Sequence, residues 1–282
     1  MPLSLKSLAP RERVLLAALA LLALVAILGP VVPAADAQHF ADGRAWGGLP
    51  NAMDVLSNLP FAVLGVWGLY RLHRLDLAHE RDHQPQAGAW APVPELPANA
   101  LDCAWLFFAG LLVTAVGSTF YHLDPDALGL AADRAGMAVA FAGLIGFAIC
   151  ERVSQRAGWS AAWFVLAAGL LAVAVFHESG DVLPWAVLQF GGMLLVLVLS
   201  LVRPVEGAIG LKLGPVIFFY ALAKMFELGD HAIYEGTQHL ISGHTVKHLT
   251  AALAALPVLQ AVGLMTRKGL RHNRGTAALT AS

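Results

Sequence analysis

Charge is what this chain has least of. Only 13% of its 282 residues are Asp, Glu, Lys or Arg, about half the share found in an ordinary soluble domain. With 58% hydrophobic residues and a mean hydropathy of +0.66, the chain reads as an integral membrane protein. The formal net charge of −1 supplies no basic face for nucleic acid and no acidic tail. Two cysteines, Cys103 and Cys150, are too few for a disulfide framework or a thiolate metal site and read as packing residues of membrane helices. A glycine-rich nucleotide loop and an internal repeat are also missing.

What is present is a series of apolar stretches. Eight of them, at residues 13–33, 55–72, 101–122, 130–150, 159–177, 183–202, 212–231 and 244–265, each approach the ~20 residues that a helix needs to cross a ~30 Å hydrocarbon core. Strands would be half as long and would alternate, so the expected fold class is an all-α polytopic membrane helix bundle.

Charge in the connections then orients it. Lys6, Arg11 and Arg13, the loop with Arg71, Arg74 and Arg81, the turn with Arg152 and Arg156, the turn with Arg203 and Lys212, and a tail with Arg267, Lys268, Arg271 and Arg274 fall on one side. The opposite loops carry Asp36, Asp42, Asp124, Asp126, Glu178, Asp181 and Glu235, with Arg44 as their one obvious cation. The positive-inside rule therefore puts both termini in the cytoplasm.

The first span also resembles a secretory signal, because Lys6, Arg11 and Arg13 precede an apolar run ending at Ala35-Asp36-Ala37. Its core is longer than a signal's 7–15 residues, which favours a retained helix. The expected organisation is an N-terminal span in residues 1–38, a seven-span core in 39–266 and a basic tail in 267–282. The connection from Asp76 to Ala100, with His79, His83, Pro85, Pro92, Pro94 and Pro97, reads as a flexible loop.

Polar residues at one depth carry the functional argument. His244 and His248 open the last span four residues apart, so both imidazoles project from one helical face. Ser118 and His122 repeat that spacing at the end of the third span, and Asp133 lies just inside the fourth. The topology puts all five at the outer end. Each has a plain structural reading: interfacial histidines, a carboxylate at a helix N-terminus, a hydroxyl bonded to the preceding turn. Ionisable groups at membrane depth are costly, however, and usually face the bundle interior with a function.

Three histidines with an open fourth position are the usual arrangement of a catalytic zinc site. Beside it, Asp133 suits a proton carrier and Ser118 a donor to a developing oxyanion. Glu227 and Asp230 are candidate acceptors for the ligand imidazoles. Lys224, Glu227 and His231 follow helical spacing, and Lys224 with Glu227 also reads as a neutralising intrahelical pair.

The set Ser118-x-x-x-His122, then Asp133, then His244-x-x-x-His248 resembles the superfamily that groups alkaline ceramidases with the adiponectin and progestin receptors. The bacterial ceramidase-like branch is the nearest match, and Ser57-Asn58-Leu59 resembles the Ser-Asn-Leu segment opening that branch's first core helix. The likeness covers about residues 40 to 266. It implies a zinc-dependent membrane hydrolase that cleaves the amide bond of ceramide or a related N-acyl lipid, with the lipid as its partner and the bacterial inner membrane as its location. It implies His122, His244 and His248 as zinc ligands, Ser118 as an oxyanion contact and Asp133 as the proton carrier.

The eukaryotic members also bind Ca2+ through an acidic segment. Residues 42–54 here offer only Asp42, Asn51 and Asp54, against the 6–8 oxygens that calcium takes. Nothing in the sequence reads out a sphingoid headgroup. A receptor with the same zinc site, as in the adiponectin receptor branch, and a transporter are the other classes considered. The first would bring a sizeable soluble domain, and the second polar residues scattered across the bilayer.

Overall fold

A computed structural model describes residues 8–34, 40–82 and 97–265. Lys6, the Ala35-Asp36-Ala37 segment, His83, Pro85, Pro92, Pro94 and the tail cations from Arg267 onward lie outside the described residues. Helices account for the described chain in this order: α1 Pro10–Leu28, α2 Ala52–Leu56, α3 Leu59–Asp82, α4 Ala98–Leu123, α5 Ala127–Arg152, α6 Gln155–Ser179, α7 Leu183–Ala186, α8 Gly192–Ser200, α9 Leu213–Leu228, α10 Asp230–Gly236 and α11 Gly243–Leu253. The protein is an all-α polytopic membrane bundle.

Six helical stretches are long and apolar enough to span a bilayer: Ala52–Arg81, Ala98–Leu123, Ala127–Arg152, Gln155–Ser179, Leu183–Ser200 and Gly243–Met265. The other two expected spans fall outside this set for physical reasons. α1 opens on Arg11, Glu12 and Arg13, and α9 runs only 16 residues before Gly229 interrupts it. Side chains such as Leu28, Val116, Leu171 and Leu201 point outward and exposed, as lipid contact requires.

Local chemistry sets the helix starts. Asp126 accepts from Gly129 N at 2.6 Å, Ser154 from Ala157 N at 3.2 Å and Ser242 from Thr245 N at 3.0 Å, each satisfying an amide that the first helical turn leaves free. α6 stops at Gly180, whose φ of 71° is left-handed, a conformation that costs glycine little.

The closest packing is between α4 and α5. Gly110 and Gly117 of α4, seven residues apart, lie against the backbones of Val139–Ala140 and Ala132–Asp133; Gly136 and Gly143 of α5 lie against those of Val113–Thr114 and Phe107. A Cβ at any of the four would overlap partner backbone. Small residues at this spacing let membrane helices touch main chain to main chain, and here they bring the Ser118 face of α4 onto the turn of α5 that carries Asp133.

The end of the bundle away from the histidines is held by burial of charge. Glu151, fully buried, accepts from Ile209 N, Gly210 N and Leu211 N at 2.6, 2.8 and 2.8 Å. Arg152 is buried beside it and donates to Leu211 O at 3.2 Å, so it belongs to the core rather than to a solvated turn. Glu12 ties α1 to the α5–α6 turn by accepting from Ser154 Oγ at 2.6 Å and from both nitrogens of the Arg156 fork at 2.9 and 2.6 Å.

Gly117→Ala is expected to destabilise the protein by about 1–3 kcal/mol, the range for forcing extra volume into a packed contact. Gly214→Ala, where an added methyl meets nothing within 4 Å, is expected to have no such effect. Thermal unfolding in detergent compares them, and equal midpoints for the two variants would show that the α4–α5 contact yields freely.

Candidate metal centre

α4 and α11 deliver three imidazoles to one point. His122, His244 and His248 are all buried, and ligand nitrogens from the three lie within 4.8 Å of one another. His122 Nε2 and His244 Nε2 are 3.2 Å apart, and the ring centroids stand 4.9, 5.2 and 4.7 Å apart around the triangle. Two nitrogens on a tetrahedral Zn2+ with Zn–N of about 2.0–2.1 Å sit about 3.3 Å apart. The donor set therefore fits a small cation that prefers imidazole.

The protonation of His248 follows from its neighbours. Ser57 Oγ donates to Asp54 O at 2.8 Å and lies 2.7 Å from His248 Nδ1. With its only proton spent on Asp54 O, the hydroxyl accepts from His248, so Nδ1 carries the hydrogen and Nε2 presents its lone pair. An outer partner that fixes the tautomer is what a metal-ligating histidine requires. For this histidine, the place considered for Glu227 or Asp230 is taken by Ser57.

Asp230 acts on the backbone instead. It accepts from His244 N at 2.7 Å and from Ala41 N at 3.0 Å, holding a carboxylate at the start of α11, where the helix dipole favours negative charge. Thr245 Oγ1 donates to Asp54 Oδ1 at 2.7 Å, and Asn51 Nδ2 donates to the His122 carbonyl at 2.8 Å. Phe40 covers the centre, its ring centroid 4.7 Å from those of both His122 and His244. Arg44 pins the covering segment, donating to Asp42 at 2.8 and 2.7 Å and to Leu240 O at 3.1 Å. The Arg44 guanidinium holds the Asp42 carboxyl below its ordinary range. The pairing thus contributes fully at neutral pH and is lost only as pH falls through that lowered value.

Asp42, Asn51 and Asp54, weighed for calcium, are thus each engaged with a different partner. Among the described residues, the three histidines are the one group of His, Cys, Asp or Glu positioned to hold a metal.

Ser118 and Asp133 stand on the inner side of this centre. Ser118 and Asp133 both line a cavity of about 150 Å³ together with His248. Apolar walls from Phe107, Leu111, Leu144, Met193 and Val216 continue it into the bundle. Lys247 also faces this cavity and donates to Glu227 Oε1 at 2.9 Å, while Lys224 bonds the other oxygen of the same carboxylate. The intrahelical Lys224–Glu227 pair is therefore two-thirds of a triad reaching α11. His231 sits beyond the Gly229 break, on α10.

Sequence reasoning left Lys247, Ser57 and Phe40 without roles. Lys247 had a signal, since a lysine inside an apolar span demands a buried partner. Ser57 is recognisable only once α2 is seen against α11. Phe40 lies in a connection with no periodicity.

Purified protein is expected to hold one Zn2+ per chain, and His122→Ala or His244→Ala to lose it. Ser57→Ala should weaken zinc binding about 10- to 100-fold, the usual cost of removing an outer partner, read by competition with a chelator. Unchanged affinity in Ser57→Ala would detach the hydroxyl from the centre.

No family model, no curated protein and no solved structure matches this chain.

Proposed function

We propose that the protein is a zinc-dependent intramembrane hydrolase that cleaves the amide bond of an N-acyl lipid, ceramide or a relative of it, to a fatty acid and an amine. The observation that carries this reading is one cavity with His248, Ser118 and Asp133 at one end and apolar walls beyond them. Such a lining suits an amide carbonyl beside His248 with the start of an acyl chain against the apolar side chains.

When bound, zinc supplies a Lewis acid and a water whose pKa falls to about 7. His122, His244 and His248 hold it, and the Ser57 hydroxyl keeps His248 in the ligating tautomer. Asp133 takes the proton as the water oxygen bonds to the carbonyl carbon. Ser118 donates to the oxygen on which charge develops. The carbon–nitrogen bond then breaks, Asp133 returns its proton to the departing nitrogen, and the acid and amine are freed. The Lys224–Glu227–Lys247 triad keeps the buried ammonium groups paired at the same wall.

In this reading the histidine end faces the periplasm of a bacterial inner membrane and both termini are cytoplasmic, as the loop charges support. The resemblance of Ser118, His122, Asp133, His244 and His248 to the alkaline ceramidase pattern points to the same reaction.

Asp133→Asn and Ser118→Ala should keep full zinc content. Turnover of an N-acyl lipid should fall at least 100-fold in Asp133→Asn, within the usual range for a proton carrier, and by a similar factor in Ser118→Ala. Undiminished turnover in both, measured by release of the fatty acid, would remove the two residues from the mechanism.

A further inference from the structure

The wall of the cavity opposite Ser118 and Asp133 carries polar groups that a plain acyl chain leaves unused. Gln189 is buried at 6% exposure, lines the cavity and makes no hydrogen bond among the described residues. It projects from Val187–Gly191, a π-helical turn between α7 and α8. Such a bulge inserts one residue and re-aims the side chains around it, and it is frequent at functional sites. Tyr220 of α9 lines the same cavity, and its buried hydroxyl has no partner among the described residues.

These two groups sit on neighbouring elements. The Lys224 ammonium lies 5.8 Å from the ring centre of Phe190, the residue after Gln189, and Tyr220 is one helical turn before Lys224. Gln189 and Tyr220 therefore mark a polar band deeper than the Glu227–Lys247 bridge, below the level of the histidines. Burying a phenol without a partner in a lipid-embedded wall is unfavourable, and the Gln189 amide opens onto the same cavity. The walls around them are apolar, so an occupant must bring the missing hydrogen-bond groups.

We propose that Gln189 and Tyr220 are specificity-determining residues that read a hydroxyl on the acyl chain of the substrate, so that hydroxylated N-acyl lipids are preferred to plain ones. This deepens the proposed amide hydrolysis and rests on that reading for the word substrate. The recognition itself is a binding property of the cavity. A hydroxyl both donates and accepts, and so it can serve the Gln189 amide as well as the Tyr220 phenol. A site built around such groups rejects the analogue that lacks its partner, because the buried groups are then stranded.

The test separates binding from hydrolysis. Tetradecanoic acid and its counterparts hydroxylated near the carboxyl group or at mid-chain compete with a fluorescent fatty acid on the purified full chain in detergent. Amides of the same three acids with one amine are assayed for turnover in parallel. One hydroxylated acid is expected to bind about tenfold more tightly than the plain acid. Gln189→Leu should remove that difference, and Tyr220→Phe should reduce it, with zinc content serving as the check on folding. Equal binding of all three acids by the wild type would overturn the proposal and leave only water at these groups, as would a preference that survives both substitutions. A binding preference without turnover of any amide would keep the reader of the hydroxyl and defeat the hydrolase instead.

Discussion

A polar group carried into a membrane bundle must find its partner inside the bundle, and the cost of failing is several kcal/mol per group. The arrangement around the histidines follows from that constraint. Asp54, Ser57 and Thr245 are buried together, and each takes a partner on another segment: Thr245 on Asp54, Ser57 on His248. The chain thereby fixes α11 against α2 by the same contacts that set the His248 tautomer. Support and site are one network, so loosening either would loosen both.

The second requirement is proximity, met by absence of side chain. Gly110, Gly117, Gly136 and Gly143 let α4 and α5 meet at their backbones, which brings Ser118 to Asp133. Gly243 does the same at the start of α11, where a Cβ would meet the backbone of Phe226 and Asp230. The polar chemistry at the cavity is thus positioned by residues that contribute none of it.

How much of this was legible in the sequence depends on the kind of signal. The all-α membrane fold was, because hydropathy integrates over ~20 residues and tolerates local error. The histidines were, because the His244–His248 spacing of four on a helix survives any packing and the topology puts His122 at the same depth. Charge near span ends was harder to read. Arg152 resembles a loop cation by composition, yet it is buried against Leu211 beside a fully buried Glu151, an arrangement set by the α8–α9 connection folding back 58 residues later. The partner of the His248 imidazole was hidden for a similar reason. Carboxylates such as Glu227 and Asp230 are the conspicuous candidates, but the group that reaches His248 is a serine 191 residues away, and no local pattern announces such a pairing. Gln189 stayed silent because a single π-helical turn leaves no periodic trace in an otherwise apolar run.

The central claim is that His122, His244 and His248 together hold one zinc ion with a position left open. X-ray absorption at the zinc edge of the purified protein tests it most directly. The account predicts three imidazole nitrogens at about 2.0–2.1 Å and one further light atom, in four-coordinate geometry. A protein that binds no stoichiometric zinc, or a spectrum with no imidazole scattering, would contradict it.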